Sequence, residues 1–306
     1  MVTAEFWISG ADLWAWRQTA LQQARAAEVD AQELDWLLAA LGNVDRLSLR
    51  LGTVQQQAQI PLACSLEDLT QRWQQRLHQR VPVQYLVGET PWRNLTLTVS
   101  PAVLIPRPET ELIIDLAAAA VARSPHREQL TQGLWVDMGT GSGAIAIALA
   151  QTFPAARILA VDLSLAALAV AQANADRAGF GPSITFYQGS WFDPLVPYQG
   201  QISALVSNPP YIPSALLPTL QPEVIDHEPA TALDGGPDGL TALGLLVTQA
   251  ADYLVPGGLW LAEIMAGQGE AVQALLTTQG GYRDCRIHLD LAGRDRFVQA
   301  SYAPSS

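Results

Sequence analysis

The hydrophobic positions of this chain change their spacing along its length, and each spacing predicts a different kind of element. Over the first 80 residues the spacing is helical. Leu13, Trp16, Ala20 and Ala24 share one face of a helix predicted over 12–28, and Leu34, Leu37, Leu38 and Leu41 share one face of a second. Asp30 and Glu33 stand ahead of that second face at capping-box spacing. Ser65 and Asp68 repeat the signal before Leu66, Leu69, Trp73 and Leu77. From Val81 the period falls to two. Val83, Tyr85 and Val87 alternate, residues 88–91 carry turn chemistry, and Leu95, Leu97 and Val99 alternate again, which predicts a β-hairpin. Pro108, followed by Glu109 and Glu111, then opens a helix with acids in its first turn, where the dipole favours them.

Beyond residue 133 short apolar runs alternate with helical stretches, the signature of a parallel sheet flanked by helices. Strands are predicted at 134–138, 157–161, 184–188, 204–207 and 259–264. Two more, at 285–289 and 297–302, flank a turn at Gly293 and read as an antiparallel hairpin. The predicted organisation is a helical domain over 1–80, a β-hairpin linker over 81–105 and an α/β domain over 106–306. The helical domain carries no catalytic constellation, so docking or substrate recognition stands beside a purely structural role.

Composition narrows the class. The 306 residues are 49% hydrophobic and 15% charged, enough for two globular domains. No apolar run reaches the roughly 18 residues of a membrane span, and the N-terminus lacks a basic stretch followed by an apolar one. A cytoplasmic protein is expected, with no membrane partner. Cys64 and Cys285 stand far apart without metal-ligand spacing, so free thiols and no metal site are expected. All 17 basic residues are Arg, against 29 acids, for a net charge of −12. Between Arg177 and Arg283 there is no Lys or Arg, whereas nine acids lie in that interval. Phosphate backbones need cations that displace counterions, so nucleic acid is a poor substrate candidate. A basic protein partner is steered towards such a surface.

Two strand ends carry the candidate chemistry. The first runs through Asp137 and Met138 into Gly139, Thr140, Gly141, Ser142 and Gly143, where glycines let a ligand approach the backbone. Asp162 ends the next strand 23 residues after Gly139, placed to accept hydrogen bonds from ribose hydroxyls. Gly139-x-Gly141-x-x-Ala144 also fits a dinucleotide site, and glycines alone do not decide between the two cofactors. Asp137, placed to meet an amino group, and the dense glycine packing favour S-adenosylmethionine. Trp191, after the third strand, is placed to pack against an adenine. The second strand end is Asn208, Pro209, Pro210 and Tyr211. The prolines stop the strand, Asn208 offers a side-chain carbonyl, Pro209 fixes its backbone carbonyl and Tyr211 supplies a flat face. Such a cup suits a planar group bearing an NH2, whether a carboxamide or a flipped adenine. A strand-ending turn is the structural alternative.

These segments together resemble the HemK/PrmC family of protein-(glutamine-N5) methyltransferases. The resemblance spans nearly the whole chain and includes 104–111, the glycine loop 139–143, Asn208 to Tyr211, 228–240 and 293–296. Met265 departs from it, standing where a Gly is expected. The resemblance implies a class I, Rossmann-like methyltransferase domain with a mostly parallel seven-stranded sheet, preceded by the helical domain and the hairpin. It also implies S-adenosylmethionine as methyl donor, held by Gly139 to Gly143, Asp162, Trp191 and Asn208. Catalysis and substrate binding fall to Asn208, Pro209, Pro210 and Tyr211. The implied substrate is the glutamine of the basic Gly-Gly-Gln loop of class 1 peptide chain release factors, acted on by a monomer.

Overall fold

The computed structural model describes residues 6–42 and 44–304; residues 1–5, 43, 305 and 306 lie outside the described residues. The chain divides into two units, Met1–Gly88 with Pro222–His227, and Glu89–Gln221 with Glu228–Ser306.

The first unit holds strand β1 (Phe6–Ile8), helices α1 (Gly10–Ala26), α2 (Ala31–Gly42) and α3 (Arg46–Leu51), strand β2 (Ile60–Leu62), and helices α4 (Leu66–Gln79) and α5 (Val83–Val87). Leu13, Leu34, Leu37, Leu38, Leu69 and Trp73 meet in its core, as their periodicity predicts. Ser65 caps α4 by accepting the Asp68 N–H at 3.0 Å. Asp30 works differently from the expected box. It accepts from the Gln32 N–H, while the Glu33 carboxylate is drawn off into an ion pair with Arg76. Residues 83–87 correct the predicted hairpin. They form α5 and not a strand, because Val83 and Leu86 bury the same face, with Pro82 before it and a left-handed Gly88 after it. The short pairing of β1 with β2 carries no sequence signal of its own. Within the Pro222–His227 segment, Glu223 pairs with Arg76 at 2.8 Å and Arg80 at 2.7 Å, and the His227 ring meets the Gln79 carbonyl at 2.7 Å.

The second unit opens with the hairpin β3 (Glu89–Trp92) and β4 (Leu95–Thr98), followed by α6 (Leu112–Arg123) and α7 (Arg127–Gln132). Strand β5 (Leu134–Met138), α8 (Ala144–Thr152), β6 (Arg157–Asp162), α9 (Leu165–Ala178), β7 (Ile184–Gln188) and β8 (Ile202–Ser207) follow. The chain continues through Thr241–Tyr253, β9 (Leu254–Glu263), Gly269–Gln279, β10 (Tyr282–Leu289) and β11 (Asp295–Tyr302). The sheet order is β10-β11-β9-β8-β5-β6-β7, with β10 and β11 antiparallel and the rest parallel, as expected. Helices cover both faces, so β8 is buried at every position and reads as an unbroken apolar run apart from two serines. One face packs Trp135, Ile147 and Leu261; the other packs Met138, Leu205 and Trp260.

This order lays β5 between β6 and β8, so connections leave its end in opposite directions. Ligands of open α/β sheets bind at that switch point. Buried Asn174 on α9 fixes the hairpin beside it. It accepts the Thr98 N–H at 2.7 Å and donates to the carbonyls of Thr98 and Ser142. Among the described residues both cysteines are free, and no helix is long and apolar enough to cross a membrane.

Candidate active site

A cavity of about 750 Å³ opens at the switch point, lined by Gly139, Gly141, Asp162, Trp191, Asn208 and Pro210 together with residues 101–104, Leu163 and 229–232. That volume lies in the range of small-molecule sites.

Gly139 (φ 75°) and Gly141 (φ 53°) have left-handed backbones, and a Cβ on either would meet nothing within 4 Å. The loop therefore offers bare backbone to the cavity. The other three loop residues work from behind. Thr140 is buried and its hydroxyl donates to Asp137 at 2.7 Å, the Ser142 carbonyl accepts from Asn174, and a Cβ on Gly143 would lie 3.1 Å from Ala171. Asp137 also differs from its expected place. It is fully buried and its Oδ2 accepts from Thr140 and from the Ala146 N–H at 3.0 Å, bracing the loop one residue short of the strand end. Its Oδ1 has no partner among the described residues. Burial pushes this carboxyl up to about 7, with the charge of Asp162 adding to it.

Asp162 accepts the Gly141 N–H and the Ser164 N–H, each at 2.9 Å. A carboxylate offers about four acceptor positions, so two remain for a ligand. Trp191 lines the cavity from a left-handed backbone (φ 50°), a conformation bulky residues seldom hold.

The β8 corner is fixed by a short chain of hydrogen bonds. Ser207, the last strand residue, donates to the Met138 carbonyl at 2.7 Å. Asn208 donates through Nδ2 to Thr110 Oγ1 at 3.2 Å, and Thr110 donates to Glu263 Oε2 at 2.7 Å. The Tyr211 hydroxyl donates to the other carboxylate oxygen, Glu263 Oε1, at 3.0 Å. Pro209 is buried, and its carbonyl accepts no hydrogen bond among the described residues. Tyr211 is half-buried at the corner. Its ring packs against the core, and the buried Glu263 anchors its hydroxyl. Burial, reinforced by the charge of Glu263, holds that hydroxyl protonated. The turn beyond is tight. Gln268 donates to the Tyr211 carbonyl at 3.0 Å and accepts the Met265 N–H at 3.0 Å, closing the turn at the residue that departs from the family pattern.

Glu263 and Thr110 received no role from the sequence. The available signal was a carboxylate at the end of an apolar strand, where an unpaired charge costs too much to persist. Thr110 lies 153 residues away, so periodicity does not connect them. Three acids of the interval without Lys or Arg are likewise not free surface charges. Glu263 is buried, Glu223 is paired as above, and Glu228 is buried against Arg107 at 2.8 Å. Asp193, Asp226, Asp234, Asp238, Asp252 and Glu270 are exposed.

A mostly parallel sheet with a bare glycine loop after its first strand, an acid after its second and an open carbonyl corner after its fourth defines a class I methyltransferase domain. The Methyltransferase small domain family matches residues 112–225. The chain is 48% identical to the release factor glutamine methyltransferase of Synechocystis sp. over 296 residues, 96% of this chain and 97% of that protein. It is 46% identical to the protein of the same name from Gloeobacter violaceus over 92% of this chain and 94% of that one. The hMettl16 catalytic domain, solved in complex with the MAT2A 3'UTR hairpin 6, shares the fold at 13% identity, with a TM-score of 0.52 over 81% of this chain and 86% of that one. The chain belongs to the release factor glutamine methyltransferase family. It is an enzyme, and its methyl donor is S-adenosylmethionine.

Proposed function

We propose that this enzyme methylates the side-chain nitrogen (N5) of the glutamine in the Gly-Gly-Gln loop of a class 1 release factor. The observation that carries this reading is the Asn208 corner. Its Nδ2 is committed to Thr110, and among the described residues neither its Oδ1 nor the Pro209 carbonyl beside it accepts a hydrogen bond. Two acceptors on one corner match the two N–H bonds of one primary amide.

Gly139, Gly141, Asp162 and Trp191 hold the methyl donor on this reading, and Thr140, Ser142 and Gly143 keep the loop in shape. The donor supplies an electrophilic methyl group on a sulfonium. A carboxamide nitrogen is a poor nucleophile because its lone pair is delocalised into the carbonyl. The enzyme compensates by geometry. Asn208 Oδ1 and the Pro209 carbonyl each accept one N–H, which turns the lone pair towards the cavity, while Pro210 and Tyr211 make the corner rigid. Proximity and orientation of this kind contribute about 7–11 kcal/mol. The N–CH3 bond forms as the S–CH3 bond of the sulfonium breaks and leaves a neutral thioether. The positive charge that develops on nitrogen is stabilised by the same two carbonyls, and the methylated nitrogen then gives one N–H proton to water, so no general base is required before transfer. The helical unit serves substrate recognition, the exposed acids favour the basic loop of a release factor over nucleic acid, and the enzyme acts as a cytoplasmic monomer.

Incubation with labelled S-adenosylmethionine and a recombinant release factor, followed by mass spectrometry, is expected to place a single methyl group on that glutamine. Label on another residue, or on added oligonucleotide and not on protein, contradicts the reading. Asp162→Ala is expected to raise the dissociation constant for S-adenosylmethionine about tenfold, because acceptors for ligand hydroxyls and for the Gly141 N–H are lost together. Calorimetry checks it, and an unchanged constant removes Asp162 from the site.

A further inference from the structure

The Asn208 side chain has two faces of similar shape and opposite hydrogen-bonding character. Only one of them suits a substrate N–H. If the amide is turned over, its NH2 faces the substrate's NH2 and the corner repels what it should bind. Something must therefore set the direction of this amide, and the cavity wall itself does not.

The hydrogen bonds behind the corner do. Glu263 is fully buried, and each of its oxygens is met by a hydroxyl, Tyr211 on Oε1 at 3.0 Å and Thr110 on Oε2 at 2.7 Å. An ionised carboxylate only accepts, so both hydroxyls spend their single hydrogen on it. Thr110 Oγ1 is then left as an acceptor, and the group 3.2 Å away must be the Asn208 NH2 and not its carbonyl. Building on the functional reading above, we propose that Glu263, acting through Thr110, sets the direction of the Asn208 amide so that Oδ1 is the atom offered to the substrate. Both are positioning residues: neither lines the cavity.

The polarity of this relay depends on one proton. If Glu263 is protonated on Oε2 it donates to Thr110, the Thr110 hydrogen is freed to point at Asn208, and the amide is favoured in the opposite sense. Burial raises the Glu263 carboxyl to about 7, with Glu109 on the preceding turn adding to it. Thr110, the Tyr211 hydroxyl and Arg296 of β11 act in the other direction. Turnover is therefore expected to rise with pH through about 7 as Glu263 ionises.

Thr110→Val keeps the shape and removes the hydroxyl, leaving the Asn208 Nδ2 against an apolar surface if it stays in place. That penalty on the productive direction is expected to lower kcat on a recombinant release factor about tenfold, with the S-adenosylmethionine dissociation constant unchanged by calorimetry. Thr110→Ser restores the hydroxyl and should recover kcat to within about threefold of wild type. Glu263→Gln should flatten the pH profile near 7. A Thr110→Val enzyme with wild-type kcat, a Thr110→Ser enzyme as impaired as Thr110→Val, or a Glu263→Gln enzyme that keeps the pH limb overturns the inference. Should Thr110→Val fail to bind S-adenosylmethionine, the serine variant and the pH profile decide. A wild-type enzyme that leaves the glutamine unmodified sinks the functional reading itself. Wild-type methylation with an equally active Thr110→Val sinks only the relay.

Discussion

Asn208→Ala is expected to lower turnover on a release factor about 10²–10³-fold, the range measured when one preorganised hydrogen-bonding group is removed from a transition-state site. The side chain is poised for this loss. Its Nδ2 is tied to Thr110, its Oδ1 has no protein partner among the described residues, and the β8 strand beneath it is buried throughout. Alanine removes an acceptor without disturbing the strand, because Ser207 keeps its bond to the Met138 carbonyl. Affinity for S-adenosylmethionine should change by no more than a few-fold, since the glycine loop and Asp162 are untouched. Turnover is read by label incorporation under saturating substrate and affinity by calorimetry. Near-normal turnover in this variant refutes the assignment of the corner.

A loss of comparable free energy, this time in stability, is expected from Trp260→Ala. Trp260 is fully buried in the middle of β9, paired with Leu205 of β8 and Ala300 of β11, and its indole N–H reaches the Leu246 carbonyl at 3.4 Å. Truncating a buried Trp costs about 3–5 kcal/mol, transfer and cavity terms together. For a unit of this size that corresponds to a fall in melting temperature of roughly 6–20 °C. Scanning calorimetry checks it. A shift of only a degree or two shows that β9 relaxes around the cavity, and its end at Glu263 is then less rigid than the site requires.

The chain discloses its sheet more readily than its site. Strands buried on both faces are written as apolar runs, so those at 134–138 and 184–188 match β5 and β7 at both ends, and the closing hairpin follows from its turn at Gly293. The glycine loop and the Asn208 corner are legible because both interrupt regular structure at a strand end. What period and spacing miss is set by tertiary partners. Val83, Tyr85 and Val87 alternate like a strand, yet five residues are too few to decide, and the burial of Val83 with Leu86 makes them a helix. Glu33 has the spacing of a cap but is claimed by Arg76 from another helix. Asp137 has the right spacing to greet a ligand but sits beneath the loop, and the Tyr211 hydroxyl is tied to Glu263, a partner that spacing does not announce. Glu263 and Thr110 are silent for the same reason. Each is intelligible only from the other, and sequence distance hides the pair.

The most direct test of the account is a crystal structure with S-adenosylhomocysteine and a peptide carrying Gly-Gly-Gln. It should show the glutamine side-chain nitrogen within hydrogen-bond reach of both Asn208 Oδ1 and the Pro209 carbonyl, with its free face towards the sulfur. A glutamine held elsewhere, or an Asn208 whose NH2 faces the peptide, would contradict it.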